Sequence, residues 1–164
     1  MKRFKRVLLS FVLFAVAMPA SAATATTTFA VSGTVVPTCS VSATPMSFGA
    51  AIPNPINSNV DATSTVTATC SSGAPYTIAL SAGLGAGATF AARRMTSGPN
   101  GLTYTLFTDA GRATVWGDGT AGNTLSNNNG SGSAQVISVF GRIPAPQTVP
   151  TGTYTDTITV TVTF

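Results

Sequence analysis

The last twelve residues of the sequence, from Thr153 to Phe164, alternate between two kinds of side chain without interruption. One face carries threonine at every position. The other face carries Tyr154, Asp156, Ile158, Val160, Val162 and Phe164. A period of two with many β-branched residues predicts a strand with one buried face and one solvated face. Because no later residue of this sequence can form a hairpin with that strand, we expect another segment or another chain to lie beside it. Such an open edge favours an assembly protein over an enzyme.

The remainder of the chain after residue 23 has no stretch with helical periodicity. Short alternating runs are separated by Gly, Pro, Asn and Ser, which is typical of a β-sandwich or barrel, and we count seven or eight strands in one domain. Short strands are predicted at 46–49 and 90–95, and a polar loop at 121–132. The predicted inward faces of three further strands are Ser64, Val66, Ala68 and Cys70; Tyr76, Ile78 and Leu80; and Leu102, Tyr104 and Leu106.

The first 23 residues have the three parts of a secretory signal. Four basic residues lie within the first six, an apolar stretch runs from Val7 to Met18, and small residues follow Pro19. The apolar stretch is shorter than the roughly 20 residues that span a bilayer. We therefore expect cleavage after Ala22 or Ala23 and export of the remainder, with a retained anchor as the alternative.

Removal of the signal leaves a nearly uncharged chain. Residues 24–164 contain four Arg and four Asp and no Lys, Glu or His. The only basic cluster is Arg93–Arg94, which we expect on a solvated edge strand with one Arg paired to an Asp, so nucleic-acid binding is disfavoured. General-base catalysis near neutral pH commonly uses His, and Asp109 and Asp118 lie in Gly-containing turns where Asp supports the backbone. No catalytic residue, cofactor site or metal site is predicted.

Cys39 and Cys70 are the only cysteines of the chain. Export to an oxidising compartment favours a disulfide between them, which would stabilise the fold by about 3–4 kcal/mol, mainly by restricting the unfolded chain. Two free buried thiols are the alternative. A metal pair is disfavoured because the mature chain has no His to complete a ligand set.

Several short motifs occur in a recognisable order along the chain. They are Phe29-x-Val31, Cys39-Ser-Val41, Phe48-Gly49, Cys70, Arg94-Met95, Leu102-x-Tyr104-x-Leu106, Trp116-Gly-Asp118, Val139-Phe-Gly-Arg-Ile143 and the ending from Gly152 to Phe164. This order resembles the spore coat protein U domain family. That family includes the major subunit of Csu-type pili, which the archaic chaperone–usher pathway assembles.

The resemblance implies an all-β fold, an incomplete immunoglobulin-like sandwich that lacks its final strand. A periplasmic chaperone would fill the vacancy during export, and the N-terminal strand of the next subunit would fill it in the fibre. Residues 24–36 would form that donor strand and 37–164 the sandwich. The donor would insert Phe29, Val31 and Val35, with Gly33 as a shallow fourth position. The edge of the receiving groove would carry Ile158, Val160, Val162 and Phe164.

The expected function is therefore that of a structural subunit, without enzymatic activity, in a secreted surface fibre that supports attachment and biofilm formation. Its partners would be identical or related subunits, the periplasmic chaperone and an outer-membrane usher. It would pass through the periplasm to the cell surface or be secreted. Two alternatives remain open: a cell or spore coat protein of the same fold, and a self-complemented carbohydrate-binding module using Trp116 and 127–129.

Overall fold

The structure is a computed structural model that describes residues 21–120 and 126–164. The predicted signal, apart from residues 21–23, lies outside the described residues. Within the described ranges no residue lies in a helix, and no helix long and apolar enough to cross a membrane is found. Internal contacts separate a leader, residues 21–34, from a body that begins at Val35.

The described part of the body contains eight strands. They are β1 (Cys39–Ala43), β2 (Val60–Cys70), β3 (Pro75–Leu80), β4 (Arg93–Ser97), β5 (Asn100–Phe107), β6 (Ser126–Asn129), β7 (Ala134–Ile143) and β8 (Val160–Thr163). One sheet has the order β1-β2-β7-β5-β4, the other the order β6-β3-β8, and every pairing is antiparallel. This two-sheet arrangement is the predicted all-β sandwich.

The core lies between the two sheets and is built from the predicted inward faces. Buried side chains include Val66, Ala68, Cys70, Tyr76, Ile78, Leu80, Leu102, Tyr104, Leu106, Val139 and Ile143. Successive side chains of a strand point to opposite faces of the sheet, so the threonines that alternate with the buried residues of β2 lie on its outer side. Trp116 is fully buried, and its indole N–H donates to the Ile78 carbonyl at 2.9 Å.

The predicted terminal strand is divided between the two sheets. Thr155 exchanges two backbone hydrogen bonds with Thr96 of β4, at 2.8 and 3.1 Å. Farther along, the Thr159 carbonyl accepts from the Ser81 N–H, and β8 then pairs with β3. Exposed and half-buried residues alternate throughout residues 153–163. The alternation that predicted a single strand thus belongs to a segment that passes from one sheet to the other.

Three local predictions need correction. Residues 46–49 form no strand, because after Thr44 the chain leaves β2 and Pro45 has no N–H to donate. The predicted loop at 121–132 contains β6, whose pairing with β3 outweighs the weak strand propensity of its asparagines. The strand predicted at 90–95 runs from Arg93 to Ser97 instead.

Candidate functional site

An open groove lies beside the two edge strands β1 and β8, which belong to different sheets but approach each other. It consists of two adjoining clefts of about 450 and 510 Å³. Met46, Phe48, Met95 and Tyr154 line both clefts, so these four residues mark where the two clefts meet. The walls are the segment after β1 and the terminal segment before β8.

The apolar faces beside the open groove are incompletely covered. Tyr154, Ile158 and Val160 lie on the inward side of the terminal segment but are only half-buried. On the paired strand β3, inward-facing Ile78 is fully buried. Val41 of β1 is opposite the fully buried Ala68 and yet is 41% exposed. The sandwich therefore leaves apolar surface uncovered along the side where two sheet edges are free.

One wall of the open groove, the segment after β1, packs against a glycine. Gly141 of β7 is buried, and a Cβ atom at this position would lie against Met46 Sδ and 2.9 Å from Phe48 Cζ. The absence of a side chain at 141 thus lets the segment after β1 settle into the sandwich. The Phe48 ring then meets the Tyr104 ring edge-on, with 6.0 Å between ring centroids.

A polar pair lies within the otherwise apolar wall. The Tyr104 hydroxyl donates to Asp156 Oδ2 at 2.7 Å, and the Leu84 N–H donates to Asp156 Oδ1 at 2.8 Å. Burial is the main cause of a raised Tyr104 pKa, and the hydrogen bond to Asp156 raises that pKa further. Tyr104 therefore stays a neutral donor that joins β5 to the terminal segment.

Arg93 differs from its prediction as a solvated residue, because its side chain is fully buried. Its guanidinium donates to the carbonyls of Ser81 (2.9 Å), Phe90 (2.9 Å), Trp116 (2.7 Å) and Leu80 (3.4 Å). Burial lowers the Arg93 pKa to about 10, which still leaves it charged at neutral pH. No Asp pairs with it in the described chain. Arg93 instead ties β4 to the end of β3 in the other sheet.

The other charged side chains lie outside the open groove. Asp61 accepts two hydrogen bonds from Arg142, at 2.7 and 2.9 Å, and forms an ion pair with Arg112 at 3.3 Å. Asp109 accepts from the N–H groups of its own turn. No group of three or more metal-ligating side chains occurs among the described residues.

The predicted disulfide joins Cys39 and Cys70, which are directly opposite each other in the β1–β2 pairing. Their sequence separation is 31 residues, so the bond restricts a loop that spans both strands. The alternative of two free thiols is therefore wrong. The disulfide fixes the start of the β1 edge at Cys39.

The predicted groove-edge residues occupy different surroundings. Ile158 and Val160 line the open groove, while Val162 packs against the core farther along β8. Phe164 lies outside this groove, in a separate depression beside β3 and β6. Sequence alternation places all four residues on one face of the strand. It cannot show where the pairing of β8 with β3 ends, and this end determines the surroundings of Phe164.

The predicted donor side chains are exposed. Phe29 is 85% exposed, Val31 83% and Val35 98%, and no heavy atom outside its neighbours lies within 4 Å of a Cβ built on Gly33. Residues 21–38 belong to no strand, although 26–36 alternate in sequence. An alternating segment without a neighbouring strand lacks the ladder partners that define a sheet.

Trp116, the proposed sugar platform of the carbohydrate-binding alternative, is fully buried and therefore cannot present a ring face to a ligand. Its neighbours in that alternative, Asn127 and Asn129, are exposed on β6.

Comparison with known proteins identifies the family. The Spore Coat Protein U domain matches residues 25–161. The chain belongs to the spore coat protein U domain family. This spore coat protein U domain is 36% identical over 160 residues to "Protein U" of Myxococcus xanthus, covering 89% of the chain and 88% of that relative.

A solved structure also matches this spore coat protein U domain. It is a chain of the CsuC–CsuE chaperone–tip adhesion subunit pre-assembly complex from archaic chaperone-usher Csu pili of Acinetobacter baumannii, with 26% identity and a TM-score of 0.56. The match covers 80% of this chain but 40% of the other. The incomplete immunoglobulin-like sandwich predicted from the sequence is confirmed, and the family and fold are those of structural subunits.

Proposed function

We propose that this protein is a structural subunit of a surface fibre built by donor-strand complementation. The observation that carries the proposal is the open groove, where two free sheet edges border half-buried apolar side chains. A strand inserted there would pair with free backbone groups and cover the exposed side chains, and this mode of binding is called β-augmentation.

The N-terminal segment of another copy, residues 24–36, would supply a matching strand. Phe29, Val31 and Val35 alternate and are exposed, so they have apolar surface available for burial. Burial of three such side chains contributes about 5–9 kcal/mol before ordering costs. Gly33 would meet a shallow part of the groove. On the receiving side, Ile158 and Val160 would contact the donor.

The comparisons support the partners and the route of export. A matching structure contains a chaperone bound to a pilus subunit, so a periplasmic chaperone would occupy the open groove until the next subunit arrives. At an outer-membrane usher, the N-terminal segment of the next subunit would then replace the chaperone in the groove. The subunit would cross the periplasm and reside in a cell-surface fibre that supports attachment and biofilm formation.

The first experiment compares boiled and unboiled surface extracts on a denaturing gel. We expect an SDS-resistant ladder in the unboiled lane only. Phe29→Asp should abolish this ladder while preserving the chaperone complex, because a carboxylate would enter an apolar groove. Ser32→Asp is the matched control, since its side chain lies on the opposite face of the donor and the ladder should persist. A ladder that survives in the Phe29 variant would refute the donor assignment.

The receiving side can be tested separately. Val160→Asp places a charge in the groove wall, whereas Thr161→Asp places it on the exposed outer face. Only the first should prevent chaperone binding and polymerisation. A fibre and a coat are distinguished by electron microscopy of the laddering material, because a fibre predicts thin filaments and a coat predicts an irregular layer.

A further inference from the structure

A second depression lies at the end of the three-stranded sheet, away from the open groove. It has a volume of about 420 Å³ and is lined by Pro75, Tyr76, Thr77, Asn127, Asn128, Asn129, Thr163 and Phe164. Its origin is an offset in pairing: β6 pairs with Pro75–Ile78, whereas β8 pairs with Thr77–Leu80. Pro75 and Tyr76 therefore have a strand neighbour on only one side, which leaves a notch beside Phe164.

The lining presents unused hydrogen-bonding groups to this notch. Asn127, Thr77 and Thr163 are directly opposite one another across the three strands, so their side chains form a row on one face. Asn129 stands in the next row, opposite Pro75. Among the described residues, no side-chain hydrogen bond involves the amides of Asn127 and Asn129, whereas the Asn128 amide is engaged with Ser126.

An aromatic ring borders the same notch. Phe164 is 55% exposed, whereas the phenol of Tyr76 is buried and donates to Gln135. Phe164 is thus the aromatic side chain with a surface free to contact a ligand. No Lys, Arg, Asp or Glu side chain lines the depression.

We propose that this notch binds a neutral glycan. Amide and hydroxyl groups both donate and accept hydrogen bonds, as sugar hydroxyls do, and an exposed ring can cover the apolar C–H face of a pyranose. The volume falls within the range of about 300–1,000 Å³ that is usual for small-ligand sites. The lining offers no cationic side chain, which selects against acidic sugars, because their carboxylates would lose hydration without gaining a cation. This site provides a binding activity that is independent of subunit polymerisation.

The test uses protein purified from the cell surface in its own assembly state. The probes are lactose, maltose, cellobiose and chitobiose, with digalacturonate as the charged counterpart, and binding is followed by saturation-transfer difference NMR. We expect at least one neutral disaccharide to bind and digalacturonate not to bind. Phe164→Ala should weaken binding about tenfold, and Phe164→Tyr should retain it within about threefold.

Two further variants complete the experiment. Asn127→Ala should weaken binding, because it removes an unused amide from the row, and Val136→Ala, an exposed apolar residue of the other sheet, should leave it unchanged. The same preparations are run unboiled on the denaturing gel, so loss of polymerisation is distinguished from loss of sugar binding. Absence of binding to all neutral probes, equal binding of digalacturonate, or unaltered binding in Phe164→Ala would overturn the proposal.

Discussion

The Tyr104 hydroxyl donates a 2.7 Å hydrogen bond to Asp156 across the wall of the open groove. Tyr104 belongs to β5 of the larger sheet, and Asp156 belongs to the segment that leads into β8 of the smaller sheet. This bond therefore helps to hold in place a wall that, among the described residues, has no strand paired with it on the groove side. We expect it to matter more than an ordinary surface hydrogen bond.

Tyr104→Phe should lower the free energy of unfolding by about 1.5–3 kcal/mol, since it removes a hydrogen bond to a charged acceptor. Urea unfolding is measured by the fluorescence of Trp116, which is the only tryptophan and is fully buried. Tyr154→Phe is the matched control: its hydroxyl donates to the Pro150 carbonyl, a neutral acceptor, in an exposed setting. An equal loss in the two variants would contradict a special role for Tyr104.

Gly141→Ala should destabilise the protein by about 1–3 kcal/mol, because the added methyl group would overlap Met46 and Phe48. The displaced segment forms one wall of the groove, so binding of the chaperone should weaken as well. Met46→Ala in the Gly141→Ala background should recover part of both losses. If the double variant is as unstable as the sum of the single variants, the two sites do not interact.

Arg93→Met should cost about 3 kcal/mol of unfolding free energy or more, because it leaves several buried carbonyls without a donor. Arg94→Met, the neighbouring residue on the other face of β4, should change stability by only about 0.5 kcal/mol. Urea unfolding of the two variants measures both changes in free energy. Similar stability of the two variants would show that water replaces the lost guanidinium donors.

The Asp61 pKa is held below its ordinary value, chiefly by the Arg142 hydrogen bonds. Since the folded pKa is depressed, the stabilisation is present above the unfolded pKa of about 4 and is lost as the pH falls through the folded pKa. Asp61→Asn should therefore lower Tm at pH 7 and have little effect at pH 2. Arg142→Gln should lower Tm at pH 7 by a similar amount, and the Asp61→Asn/Arg142→Gln double variant should lose no more than either single variant. A loss of Tm that is the same at pH 7 and pH 2 would exclude the ion pair as its cause.

Much of the sandwich could be predicted from the sequence because its strands alternate clearly. The inward residues of β2 and β3 follow directly from a period of two, and the disulfide follows from two cysteines in a chain with a predicted secretory signal. The location of Arg93 could not be predicted in this way. Its carbonyl partners come from Leu80, Ser81, Phe90 and Trp116, and no local pattern shows that these segments meet.

The candidate site was predicted less completely than the fold. Alternation places Ile158 and Val160 on the face that borders the groove, but it could not reveal that Met46 and Phe48 form the opposite wall without being a strand. Phe164 shares their face in sequence, yet its surroundings depend on where the β3–β8 pairing begins. Such offsets between strands are set by tertiary pairing and leave no signal in a single alternating segment.

The bridge between Cys39 and Cys70 also has a mechanical consequence for the proposed fibre. A pull on the leader reaches the first strand of the body, the five-residue β1, at Cys39. From there the load passes through a covalent bond into the eleven-residue strand β2, so the short edge strand cannot be peeled away one hydrogen bond at a time. Tension along the filament would then be borne by the interior of the larger sheet.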